Sequence, residues 1–128
     1  MKELRLNPDC VRDILLTVEE LSGPSKKVAI PNPEQKRLVP YEREELQYHI
    51  LQCDAANLIC GVKPFSKGRY LVQDLTPKGH EFLANVREQS IWNKTKETAA
   101  SVGSYSLTAL AQIAAGIIQS VITFKFTV

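Results

Sequence analysis

Three cysteines, six glycines, one methionine and one tryptophan in 128 residues are the sparse elements of this sequence, and the basic and acidic counts nearly cancel. Each shortage removes a class of protein. Cys10, Cys53 and Cys60 cannot all pair within one chain, so reduced thiols in a cytoplasmic protein are expected rather than a secreted disulfide scaffold. Met1 to Leu6 carries charge with no apolar run directly behind it, so no secretory leader is predicted. Gly61, Gly68 and Gly79 stand alone, and no phosphate-cradling loop is present. His49, Cys53, Cys60 and His80 are the metal-capable residues, and His49 and Cys53 share a helix face. No paired Cys-x-x-Cys or His-x-x-x-His spacing accompanies them, so neither a metal nor a cofactor is expected. Glu19 with Glu20 and Glu44 with Glu45 are adjacent in sequence and point in different directions on a helix. With no nucleophile, base and oxyanion arrangement visible, no catalytic residue is assigned and the chain is not expected to be an enzyme. Sixteen basic against fourteen acidic residues leave +2, too little to attract nucleic acid by bulk charge. Local patches must decide.

What is there begins with a clear helix. Asn7 caps it, Pro8 fits its first turn, and Val11, Ile14, Leu15, Val18 and Leu21 form one apolar stripe until Ser22-Gly23-Pro24 stops it. Residues 22–40 are rich in proline and lysine and read as connection, with a short strand at Val28–Ile30 and a one-turn helix start at Asn32-Pro33-Glu34-Gln35. A second helix is predicted from Glu42 to Ala56, with Leu46, Ile50 and Cys53 inward, joined by Tyr48, Leu51 and Ala55, and with Asn57 as terminator. Leu58–Val62 and Arg69–Gln73 read as two strands around a basic loop, a β-hairpin. Thr76 then caps a helix opened by Pro77, with Phe82, Leu83 and Val86 apolar, continuing bent or interrupted to about Ser101. Trp92 is expected to cover the core edge against the first helix.

Helix, short strand, helix, hairpin, helix is the plan of a winged helix, an α+β class in which the hairpin is the wing. The predicted division is a winged-helix-like domain over residues 1–101 and an apolar helix or strand extension over 102–128. Three blocks also resemble a known family. Val11-Arg12-Asp13-Ile14-Leu15-Leu16 with Glu19-Glu20, then Tyr48-His49-Ile50-Leu51 with Ala56-Asn57-Leu58-Ile59, then Leu75-Thr76-Pro77-Lys78-Gly79-His80-Glu81-Phe82-Leu83 with Arg87 and Trp92-Asn93-Lys94, are similar to domain of unknown function 2513. The resemblance implies a winged-helix protein of bacteria, phages or prophages with no established activity. The chain departs from that pattern in its long 22–40 connection, at Ala56-Asn57, where a glycine is expected, and in its last eight residues.

The wing is the first candidate surface. Lys63, Lys67 and Arg69 give three positive charges in seven residues, with Phe65 among them, and suit phosphate contact. Gln47 and Gln52 on the second helix, with His49 beside them, are candidates for base edges of double-stranded DNA. Against this, the leading turn of that helix carries Glu42, Glu44 and Glu45, which suit the helix dipole and repel phosphate. The first functional expectation is a nucleic-acid-binding or regulatory protein. The alternative is a protein–protein interaction module, a phage accessory factor on the same fold.

The tail is the second candidate surface. Leu107, Leu110, Ala114, Ile117, Val121 and Phe124 recur in alternating steps of three and four residues. With Ile113 and Ile118 they form an apolar face too large to leave in water. Homodimerisation through Leu107, Leu110, Ile113, Ile117 and Val121 is expected, ahead of packing on the chain's own domain. Gln112, Gln119, Thr108, Ser120 and Thr123 argue against a membrane span. Over Val121–Val128 the alternation with Thr123, Lys125 and Thr127 favours a terminal strand.

Overall fold

A computed structural model describes residues 5–127, the side chain of Thr127 excepted. Met1–Leu4 and Val128, on which parts of the leader and terminal-strand expectations fall, lie outside the described residues. The chain divides into two compact units, one ending at His80 and the other beginning at Glu81. The architecture is α+β and winged-helix-like, with helices α1 (Pro8–Leu21), α2 (Arg43–Ala55), α3 (Pro77–Val86), α4 (Gln89–Val102) and α5 (Leu107–Thr127). Its strands are β1 (Val28–Ile30), β2 (Ile59–Cys60), β3 (Lys63–Phe65), β4 (Arg69–Val72) and β5 (Asp74–Leu75).

In the first unit α1 starts as its sequence directs. The Asn7 side chain accepts the Asp9 N–H, and Pro8 occupies a position whose amide has no helical partner to lose. Cys10, Val11, Ile14, Leu15 and Val18 are buried along one face. β1 pairs antiparallel with β4, and β4 with β3, giving a sheet in the order β1-β4-β3. A separate antiparallel pair joins β2 to β5, with Ile59 opposite Leu75.

The predicted strand Leu58–Val62 is therefore broken. Gly61 takes φ +66° between β2 and β3, and a Cβ there would sit 2.5 Å from that of Gln73. The chain changes partner strand at this glycine, and the hairpin continues through Lys63–Phe65, which composition alone marks as loop.

The proline-rich connection carries its own local logic. The Asn32 side chain accepts the Glu34 N–H, while Gln35 Oε1 accepts the Asn32 N–H and Gln35 Nε2 donates to the Ala29 carbonyl at 2.8 Å. These bonds order the turn Asn32–Gln35, and a 3-10 turn, Lys36–Leu38, follows it where a longer helix would stand in other winged helices. Leu38 is buried beneath it.

α2 ends in a Schellman arrangement. Leu58 N–H reaches the Cys53 carbonyl and Asn57 N–H the Asp54 carbonyl, with Asn57 at φ +62°. Asparagine thus fills the left-handed position for which the family resemblance suggests glycine. Next, Thr76 Oγ1 accepts the Gly79 N–H at 3.0 Å and donates to the Asn57 carbonyl at 2.5 Å, so one hydroxyl caps α3 and ties it to the end of α2. A Cβ on Gly79 would fall 2.0 Å from the Leu58 carbonyl oxygen, so this approach of α3 to the chain requires glycine.

In the second unit α4 is separate from α3, broken at Arg87-Glu88, and Gly103 ends it at φ +72°. Trp92 is buried with the Lys96 ammonium 5.6 Å over its ring. α5 packs on α4 after a connection of four residues, which sets the two helices antiparallel. The strand expected over Val121–Val128 is corrected: the chain is helical through Thr127. Extending a helix already nucleated at Leu107 adds one hydrogen bond per residue fixed, whereas a terminal strand needs an edge to pair with.

Candidate interaction surface

The surface that a winged helix offers to nucleic acid or protein is the outer side of α2 with the wing. At about 100° per residue the buried residues of α2, Leu46, His49, Ile50 and Cys53, cluster on one arc. The opposite arc carries Glu44, Tyr48, Leu51 and Ala55. Leu51 and Ala55, expected inward, are exposed, and the inward place is taken by His49.

That histidine has a structural task. Its Nε2 accepts the Asn7 N–H at 2.7 Å, and its Nδ1 lies 2.7 Å from the Glu45 carbonyl. A backbone N–H can only donate and a carbonyl can only accept, so the ring proton sits on Nδ1. Both nitrogens are occupied, and His49 is unavailable to a base or a metal. Among the described residues, no three His, Cys, Asp or Glu side chains gather where they could hold a metal ion.

The wing turns through Lys67 at φ +62° and Gly68 at φ +73°, the left-handed pair of a tight hairpin. A left-handed conformation costs a non-glycine residue on the order of 1 kcal/mol, and α2 holds this one in place. Arg43 Nη1 donates to the Lys67 carbonyl, and Gln47 Nε2 donates to the Gly68 carbonyl at 2.5 Å. The wing tip is thereby clasped to the leading half of α2.

This arrangement redistributes the predicted site residues. Lys63 and Lys67 are exposed, and their ammonium groups reach solvent from the hairpin. Arg69 is half-buried and turned onto its own wing: Nε donates to the Ser66 carbonyl at 3.1 Å, Nη2 to Ser66 Oγ at 2.9 Å, and the guanidinium lies 4.9 Å over the Phe65 ring. Gln47 is engaged in the clasp. Gln52 is half-buried and lies about 140° around the helix from Gln47, so the two do not present one reading face. Arg43, which the residue pattern places only among the wet positions of α2, is a central contact. Its signal in the sequence is slight, the one base in an acidic turn.

The thiols sit apart from this surface. Burial pushes Cys53 up to about 12 and raises Cys10 as well, which keeps both protonated and poorly nucleophilic. Tyr41 O–H donates to Asp13 Oδ2 at 2.7 Å, tying the connection to α1. Burial raises both groups, and the bond to Asp13 raises Tyr41 further.

In the tail, Leu107 and Leu110 are buried within the chain, Ile113 and Ile117 are half-buried, and Val121 is 40% exposed. Among the described residues one helix, over Leu107–Phe126, is long and apolar enough to cross a membrane by length and composition.

A relative in Haemophilus influenzae (strain ATCC 51907 / DSM 11121 / KW20 / Rd), bearing the name "Uncharacterized protein", is 28% identical over 122 residues, covering 93% of this chain and 99% of its own. That span is too long to stop before α5. No solved structure matches the chain. Residues 5–106, from the start of the described chain to the residue before α5, match the family described as "Hypothetical protein (DUF2513)", and the chain belongs to that family.

Proposed function

We propose that this chain is a winged-helix protein-docking module with a regulatory role, and that it does not read duplex sequence through α2. The observation that carries this reading is the clasp. Arg43 and Gln47, the leading side chains of α2 best suited to phosphate and base, donate instead to the carbonyls of Lys67 and Gly68. Groove entry would break those bonds and bring Glu42, Glu44 and Glu45 toward phosphates. What the clasp leaves outward is a mixed surface: Leu51, 45% exposed, one turn beyond Gln47, and Phe65, 42% exposed, on the wing. Apolar anchors with charges of both signs around them suit a protein partner. A bacterium or a phage resident in one is the proposed setting, with the Haemophilus influenzae relative in support. The cytoplasm is the proposed compartment, since three free thiols, with Cys10 and Cys53 buried as core filling and Cys60 half-buried, suit reducing conditions.

The test is nuclease-treated co-purification from the native host, paired with duplex titration across a salt series. The expected result is a protein partner that survives nuclease and is lost with Leu51→Glu. Sequence-dependent duplex binding abolished by Gln47→Ala would overturn the reading.

A second reading, phosphate contact by the wing alone, is favoured by the exposure of Lys63 and Lys67 on one hairpin. It predicts binding indifferent to sequence, with a salt slope that falls by about 0.9 for each phosphate left without its lysine in Lys63→Ala or Lys67→Ala.

A further inference from the structure

α5 has 21 residues and the α4 against which it lies has 14, so α5 outruns its neighbour by about two turns. Its apolar seam does not stop where α4 does. Leu107, Leu110 and Ala114 are buried, whereas Ile117 is half-buried, Val121 is 40% exposed and Phe124 is 67% exposed. The alternating three- and four-residue steps are the same in both halves, and that period fits one helix packing on another.

We infer that two copies of this chain join through the second halves of α5, paired antiparallel about Val121. The residues on the opposite arc identify the occupant. From Thr108 to Thr123 that arc is small or polar and free of charge, through Gln112, Ala115, Gly116, Gln119 and Ser120, and Phe126, 86% exposed, interrupts it only in the last turn. A membrane span would carry both glutamines into hydrocarbon. A helix lying in a membrane surface would carry lysines and arginines on that arc, and it has none. A water-facing arc opposite a helix-pairing seam accounts for both features.

A second copy is complementary by chemistry. The only charged residue in α5 is Lys125, so pairing like with like brings no further repulsion. The antiparallel hand places the two Lys125 ammonium groups at opposite ends of the contact and sets the helix dipoles head to tail. The parallel hand would set the two lysines side by side. This inference is independent of the docking surface on α2 and the wing.

Sedimentation equilibrium and crosslinking of the full chain test it, in detergent-free buffer. The expected results are a dimer at tens of micromolar and a folded monomer for Val121→Glu, its dissociation constant raised by about a hundredfold or more. In a Cys60→Ser background, Val121→Cys should link two chains through a short bismaleimide and Lys125→Cys should not. Linking at both positions would overturn the antiparallel hand. A monomeric full-length chain would overturn the pairing, and so would flotation with phosphatidylethanolamine–phosphatidylglycerol vesicles, which would name lipid as the occupant.

Discussion

α2 and α5 are both long helices with apolar residues facing outward, yet they are held in place by different means. Around α2 the polar groups have specified destinations: His49 to Asn7 and the Glu45 carbonyl, Arg43 and Gln47 to the wing, the last turn to Asn57 and Leu58. α5 is held by aliphatic packing on α4 over its first half, and side chains such as Ser120, which donates to the Gly116 carbonyl, bond within the helix itself. The first kind of helix is specified by geometry and should fail at single atoms. The second is specified by apolar area and should tolerate change wherever the area is open to solvent.

The hardest test of that contrast is Gly79→Ala. A methyl group would meet the Leu58 carbonyl oxygen at 2.0 Å, and backbone cannot swing aside as a side chain can. Adding a carbon there is expected to cost about 3 kcal/mol or more, or to prevent folding. Urea denaturation followed by circular dichroism measures it. A near-native midpoint would mean that α3 can withdraw from the end of α2 at little cost.

His49→Leu comes next. It preserves bulk and removes both ring hydrogen bonds, leaving the Asn7 N–H without its acceptor. A loss of about 1–3 kcal/mol is expected. If the variant matched the parent, water would be reaching Asn7 and the ring would be serving as filler only.

These two positions also show what is readable in the sequence. The order of elements is legible because capping and period are local: Asn7-Pro8, Thr76-Pro77 and the stripe from Val11 to Val18 each declare a helix without reference to the rest of the chain. That His49 makes hydrogen bonds is the reading its residue type favours over metal binding, but its partners are not legible, because one is the Asn7 N–H 42 residues away and the other is the Glu45 carbonyl of its own helix. The clasp is hidden for the same reason, since its acceptors are main-chain carbonyls and no side-chain pattern encodes them. Period-2 alternation misleads at the C-terminus, where Thr123, Lys125 and Thr127 suggest a strand and helix propagation from Leu107 prevails.

Alkaline pH should act on the first unit through its buried thiols. The folded pKa of Cys53 stands near 12, above the value of about 8.5 for a solvated thiol. The unfolded chain therefore gives up its proton first, and folding stability must fall as pH rises from about 8.5 toward 12. Cys10 and Tyr41, raised in the same direction, steepen the fall above their own unfolded values. Each proton difference contributes a slope of about 1.4 kcal/mol per pH unit, and Cys53→Ala should remove one such contribution. Denaturation curves between about pH 7 and pH 11 check it, and a flat profile would mean that the thiols ionise without unfolding.

The smallest effect is expected from Val121→Ala, measured at dilution below any pairing. Val121 is 40% exposed, so truncating it forfeits little apolar contact within a single chain. Alanine is also the better helix former, because valine loses side-chain freedom against the preceding turn. The two terms oppose each other and are of similar size, so the net change should fall within about 0.5 kcal/mol of zero. Leu110→Ala on the same helix is the contrast: Leu110 is fully buried, and its truncation should cost about 2–5 kcal/mol. Thermal melts of both variants at low concentration, followed at the helical band, separate the two halves of α5. A destabilisation above about 1 kcal/mol for Val121→Ala would place that side chain inside the single chain's own core and remove the open half of the seam.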